Sequence, residues 1–213
     1  MTTTAPITTT PGPASAIRRP RFGFALAIVT QIAMMTGASA PSPFYPVLAA
    51  EIGFDAIVIS AVFAVYAIAL LLALLSAGSL SDHIGRRPVA IGGLLLLAGS
   101  MLLFWHADSV ATLMLARILQ GAASGVLIAA LSAAALDLAP GGRSRVAALW
   151  NALSPGIGLA LGALVSGIAL DVTGQPLLDV FAPLTVIYLV LAALFFLAPE
   201  TAPLHPGAVS YTH

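Results

Sequence analysis

Six long apolar runs, separated by short polar connectors, make up most of the chain. They cover residues 22–40, 56–77, 89–105, 110–136, 146–170 and 180–197. A bilayer core takes about 20 apolar residues per helix, so the pattern predicts six transmembrane α-helices. The connectors carry breakers: "PSPFYP" after the first run, "APGGRSR" after the fourth and "DVTGQPLLD" after the fifth. Ahead of the first run, "MTTTAPITTTPGPASAI" is rich in Thr and Pro and lacks helical periodicity. The expected organisation is a disordered tail over residues 1–21, a six-helix bundle over 22–198 and a short tail over 199–213. The basic "RRPR" before an apolar run imitates a signal peptide, but 22–40 is too long for an h-region, so it reads as a retained first span.

Composition sharpens this picture. The chain is 60% hydrophobic and 8% charged, with a mean hydropathy of +1.05, whereas about a quarter of the residues of soluble domains are charged. An all-α polytopic membrane protein is the class that remains. The formal net charge is zero, so no basic field exists to attract nucleic acid. Without Cys there is no disulfide and no thiolate ligand. There is no HExxH, no metal-ligand cluster, no nucleophile with a base in reach along a helix and no P-loop. The sequence therefore points away from an enzyme, a metalloprotein and an ATP-driven pump.

The placement of Arg sets the orientation. Arg18, Arg19, Arg21, Arg86, Arg87, Arg143 and Arg145 fall before span 1, between spans 2 and 3, or between spans 4 and 5. The opposite connectors hold Glu51, Asp55, Asp108, Asp171 and Asp179 and no Arg. By the positive-inside rule both termini are expected in the cytoplasm, for a multi-pass protein of the plasma (inner) membrane.

The densest charge cluster has an echo. Gly78, Asp82 and Gly85 follow span 2 as G-x-x-x-D-x-x-G, and Gly167, Asp171 and Gly174 repeat the spacing after span 5, 89 residues on. Spans 1–3 and 4–6 would then be two copies of one unit, inverted because three is odd. Such repeats are typical of secondary transporters.

Here a family resemblance enters. "GSLSDHIGRRPVA" resembles the loop 2–3 signature of the major facilitator superfamily through Gly78, Leu80, Asp82, Gly85, Arg86 and Arg87. "LMLARILQGAASG" in span 4 is similar to the family's R-x-x-Q-G-x-x-x-G pattern through Arg117, Gln120, Gly121 and Gly125. In span 5, "SPGIGLALG" matches the antiporter pattern G-P-x-x-G-G at Pro155 and Gly158 but has Ser154 and Leu159 in place of glycines. The resemblance implies transport of a small solute by alternating access, as in drug-efflux members, with coupling to a proton gradient and no bound cofactor. Because the family typically has twelve spans, the chain resembles an amino-terminal half. A split-gene subunit, a truncation, a homodimer and a fragment all fit that length, as does a relic six-span assembly partner that moves nothing.

Physical roles follow for the matched residues. The loop between spans 2 and 3 is expected to act as a latch, in which Arg86 meets Asp137 at the end of span 4 as a bidentate ion pair. The plainer role for Arg86 and Arg87 is topogenic charge, but topology does not require Asp82. Asp82→Asn should abolish transport while leaving membrane insertion intact, as flux and membrane-fraction assays would report. Arg117 lies seven residues into span 4, roughly 10 Å deep, either facing a solute cavity or snorkelling to the interface. The pairs Gly121/Gly125 and Gly158/Gly162 form GxxxG and read as packing devices, those of span 5 marking a face toward a second half. Tyr45, Trp105 and Trp150 read as interfacial anchors, and Met34, Met35, Phe63 and Tyr66 as core or lipid-facing residues. Thr30, Gln31, Thr36 and Ser39 are the polar lining span 1 offers, a polarity suited to an amphiphilic or lipophilic solute.

Overall fold

The computed structural model describes residues 13–139 and 144–198, with side chains described from residue 20 onward except over 77–84. All regular elements among these residues are helical: α1 (Pro13–Ser39), α2 (Tyr45–Ile52), α3 (Ala56–Ile84), α4 (Arg86–Trp105), α5 (Val110–Asp137), α6 (Ser144–Val172) and α7 (Pro176–Phe195). Six stretches are long and apolar enough to cross a bilayer, as the apolar runs predicted.

Three boundaries differ from the sequence reading. Helix α1 begins at Pro13, not at residue 22; proline suits a first helical turn, where its missing N–H costs nothing. The remainder of both expected tails lies outside the described residues. The "PSPFYP" connector is not a plain loop. It forms a 3-10 turn over Ser42–Phe44 and then α2, which Gly53 ends in the left-handed conformation at φ +83°. Nor is the charge-dense stretch a loop. Helix α3 continues to Ile84, α4 opens at Arg86, and Gly85 alone makes the break, at φ +101° and ψ 151°. That backbone region is essentially open only to glycine. Gly78 and Asp82 therefore belong to the last turns of α3, and the Asp82 side chain lies outside the described residues.

Packing arranges the spans in two rows. Contacts run α3–α5–α1–α6 along the front, while α4 and α7 pack on each other behind α5 and α1. The close approaches in the front row are made by glycines. A Cβ built on Gly121 or Gly125 of α5 would fall 3.0 and 2.8 Å from the Cβ atoms of Ala69 and Ala73 on α3. One on Gly158 or Gly162 of α6 would fall 2.5 and 2.0 Å from the carbonyl oxygens of Ile32 and Thr36 on α1.

These four contacts are two contacts repeated. Advanced by 89 positions, Ala69 becomes Gly158 and Ile32 becomes Gly121; Ala73 becomes Gly162 and Thr36 becomes Gly125. The pairs 69–121 and 73–125 thus return as 158–32 and 162–36, with partners exchanged. A two-fold axis in the membrane plane, passing between α1 and α5, requires this exchange. Helix lengths agree: α3 and α6 both have 29 residues, α4 and α7 both 20. The inverted three-helix repeat is therefore present in the packing, not only in the G-x-x-x-D-x-x-G spacing.

The alternation also separates two faces. Phe44, Glu51, Trp105, Leu170 and Leu177, from the three acidic connectors, border one cavity. Gly23, Arg86, Leu138 and Ala198 border another, at the opposite ends of the helices. One end of the bundle therefore carries Arg86 with its partner Asp137, and the other carries the acidic connectors.

Candidate functional site

Arg117 of α5 occupies a closed box near the acidic end. It is 1% exposed. Its Nε donates to the Tyr45 hydroxyl, and Nη1 donates to the Ala38 carbonyl at 3.1 Å and to Gln120 Oε1 at 2.6 Å. Gln120 Nε2 in turn donates to the Gly37 carbonyl at 2.7 Å. The rings of Tyr45, Phe63, Tyr66 and Phe104 stand 5.3–5.4 Å from the guanidinium carbon. Helices α1 to α4 all contribute to this one charge.

No carboxylate among the described residues takes part; Asp137 instead pairs with Arg86. Hydrogen bonds from a charged donor contribute about 1.5–3 kcal/mol each, and a desolvated cation–π contact about 2 kcal/mol. Together these outweigh the ~2.5–3.5 kcal/mol that insertion scales assign to Arg at a helix centre. Neutral groups thus hold the charge through Nε, Nη1 and the ring faces, while Nη2 is buried without a hydrogen-bond partner among the described residues.

This geometry revises several expectations. Arg117 neither snorkels nor faces an open cavity; it is enclosed. Tyr45 is 2% exposed and is a hydrogen-bond acceptor for Arg117, not an interfacial anchor. Phe63 and Tyr66 are not generic core or lipid-facing residues, because they wall the box. Trp105 is half-buried and Trp150 exposed, both near helix ends.

A second polar cluster joins α1, α5 and α6. Gln31 Nε2 donates to Ser132 Oγ at 3.1 Å, and Ser154 Oγ donates to Gln31 Oε1 at 2.5 Å. Asn151 Nδ2 reaches the Ser132 carbonyl at 3.4 Å. Gln31 and Gln120 are 89 residues apart, so the repeat makes them counterparts; each is buried and each ties α1 to α5. That spacing was the available signal for the cluster. Ser132 and Asn151 carried none. Ser154, the departure from the antiporter glycine pattern, is the residue that bonds Gln31. Pro155 next to it lacks an N–H, which frees the Asn151 carbonyl from its helical partner.

At the Arg-bearing end Arg86 pairs with Asp137, as the sequence suggested, directly after the Gly85 turn. Arg87 lies 5.5 Å over the ring of Phe196. Gly121 and Gly125 pack on α3, while Gly158 and Gly162 pack on α1 and not toward a second half. The unpartnered surfaces belong to other positions of α3 and α6, such as Leu72, Leu75 and Leu164, which are 63%, 83% and 59% exposed.

No curated protein matches the chain. A family model does: that of the Major Facilitator Superfamily covers residues 27–210, nearly all of the helical bundle, and the chain belongs to that family of membrane transporters.

Proposed function

We propose that this chain moves a small amphipathic or lipophilic solute by alternating access, as proton-driven efflux, with its Arg-bearing end in the cytosol of the plasma (inner) membrane. The observation that carries the reading is the Arg86–Asp137 ion pair beside the single-residue turn at Gly85. It ties α4 to α5, joining the two three-helix repeats at the Arg-bearing end, where a rocking motion would open and close a contact. The polar cluster of Gln31, Ser132, Asn151 and Ser154 supplies hydrogen-bonding groups within an otherwise apolar row, which suits a solute with few polar groups. Arg117 would serve as a fixed charge at the other end of the path. The exposed apolar faces of α3 and α6 are where a second six-helix unit, another copy or a separate half, would seat.

Flux of amphipathic solutes into proteoliposomes under an imposed pH gradient tests this. The expected result is gradient-dependent flux that a protonophore collapses and that Asp137→Asn lowers about tenfold without loss of insertion. A protein that moves no solute, alone or with a second six-span unit, is a non-transporting assembly partner and overturns the proposal. So does flux indifferent to Asp137→Asn.

A further inference from the structure

The cavity at the acidic end belongs neither to the Arg117 box nor to the Gln31 cluster. It measures about 310 Å³, at the lower end of the range for small-molecule sites. Helix α2 forms one wall, the end of α4 a second and the α6–α7 turn the third. Its body is apolar: Phe44 and Leu48 are 1% and 2% exposed, with Leu170 and Leu177 beside them.

Three polar groups border this apolar space: the Glu51 carboxylate, the Gln175 carboxamide and the Trp105 indole. Among the described residues none of the three side chains makes a hydrogen bond, and Glu51 joins no ion pair. They offer one anionic acceptor, one amide and one aromatic ring, the last with its centroid 4.6 Å from that of His106. The surrounding charge has a single sign. The connectors of this face hold Glu51, Asp55, Asp108, Asp171 and Asp179 and no Arg. Glu51 is the charged residue in the lining itself, and the acidic connectors around it favour a ligand of positive charge.

From these observations we propose that the cavity is a binding site for an alkylammonium group carrying an apolar tail, peripheral to the transport path. Glu51 pairs with the cationic head, the Trp105 ring faces it, and the tail lies against Leu48, Leu170 and Leu177. Quaternary and primary ammonium groups both satisfy this chemistry, and they reach the site from two sources: a free amphipathic cation, or the headgroup of an ethanolamine or choline lipid in the same leaflet.

Intrinsic fluorescence tests the site, because Trp105 and Trp150 are the only tryptophans. Trp150→Phe, remote at the opposite end of the bundle, leaves Trp105 as the sole emitter. This protein is placed in nanodiscs of phosphatidylglycerol, which has no ammonium group, and titrated with hexyltrimethylammonium; hexanol is the uncharged control. A saturable change in Trp105 emission with the cation only is expected, weakened about fivefold by Glu51→Gln. Glu51 is exposed, so the fold should survive that change, and circular dichroism checks it. Including phosphatidylethanolamine in the nanodisc separates the sources. A rightward shift of the titration identifies the lipid headgroup as a competing occupant, and an unchanged titration assigns the site to the free cation. Equal responses to cation and hexanol, equal affinity in Glu51→Gln, or no saturable response in either lipid overturns the proposal. Loss of transport leaves this readout unaffected, so the site and the transport reading fail independently.

Discussion

Arg117→Ala should abolish solute flux and destabilise the bundle by about 2–4 kcal/mol. The structure gives the reason for both effects. Removing the guanidinium strips the Tyr45 hydroxyl and Gln120 of their shared partner inside the bundle, and each buried polar group left unsatisfied costs about 1–3 kcal/mol. It also empties a space enclosed by four aromatic rings. Arg117→Lys should rescue little. An ammonium on a flexible stem cannot reproduce the planar fork through which Nε and Nη1 meet three separate acceptors. Arg87→Ala, at the helix end beside Phe196, should be far milder. Flux in proteoliposomes and thermal melting of the same preparations supply the comparison. Normal flux in Arg117→Ala, or a larger loss in Arg87→Ala, would make the box a mere packing feature.

The second large effect concerns the glycines at the two helix contacts that the repeat axis exchanges. Gly162→Ala places a methyl group 2.0 Å from the Thr36 carbonyl oxygen and 2.2 Å from Ser39 Oγ; Gly125→Ala places one 2.4 Å from the Leu70 carbonyl oxygen. The obstructing carbonyls belong to helical backbone, so relief requires the helices to separate. Overpacking of this kind costs about 1–3 kcal/mol, or roughly 2–12 °C in Tm for a bundle of this size. Gly92→Ala and Gly156→Ala meet nothing within 4 Å and should melt like the parent. Because the contacts at positions 121 and 158 are images of each other, as are those at 125 and 162, the losses should pair off accordingly. A stable Gly162→Ala protein would mean that α1 and α6 do not approach as described. Losses unrelated within each pair would deny the repeat its energetic meaning.

Much of this was legible in the sequence because the bilayer imposes strong local rules. Length and apolarity marked the six spans, Arg placement separated the two ends, and the 89-residue spacing from Gly78 to Gly167 disclosed the repeat. Arg86 and Asp137 were paired correctly because both sit at helix ends on one face. Where the reading failed, the cause was nonlocal. Tyr45 and Phe63 have the sequence context of ordinary interfacial or lipid-facing aromatics, and nothing near them in the chain points to a cation 72 and 54 positions away. The turn at Gly85 was taken for part of a longer loop, since charged residues near a helix end resemble a connector until the backbone angles are known.

Hydropathy along the chain determined that it carries six segments able to cross a membrane, a property each segment has with respect to its solvent, and the 89-residue spacing marked them as a repeat. Only the tertiary structure decided which side chain meets which. It enclosed Arg117 among rings from three other helices, turned Gly158 and Gly162 toward α1, and gathered Glu51, Trp105 and Gln175 around one cavity. In lipid the hydrophobic effect does not select between apolar faces, so helix partners are chosen by close packing and a few polar bonds, and those depend on all the helices at once.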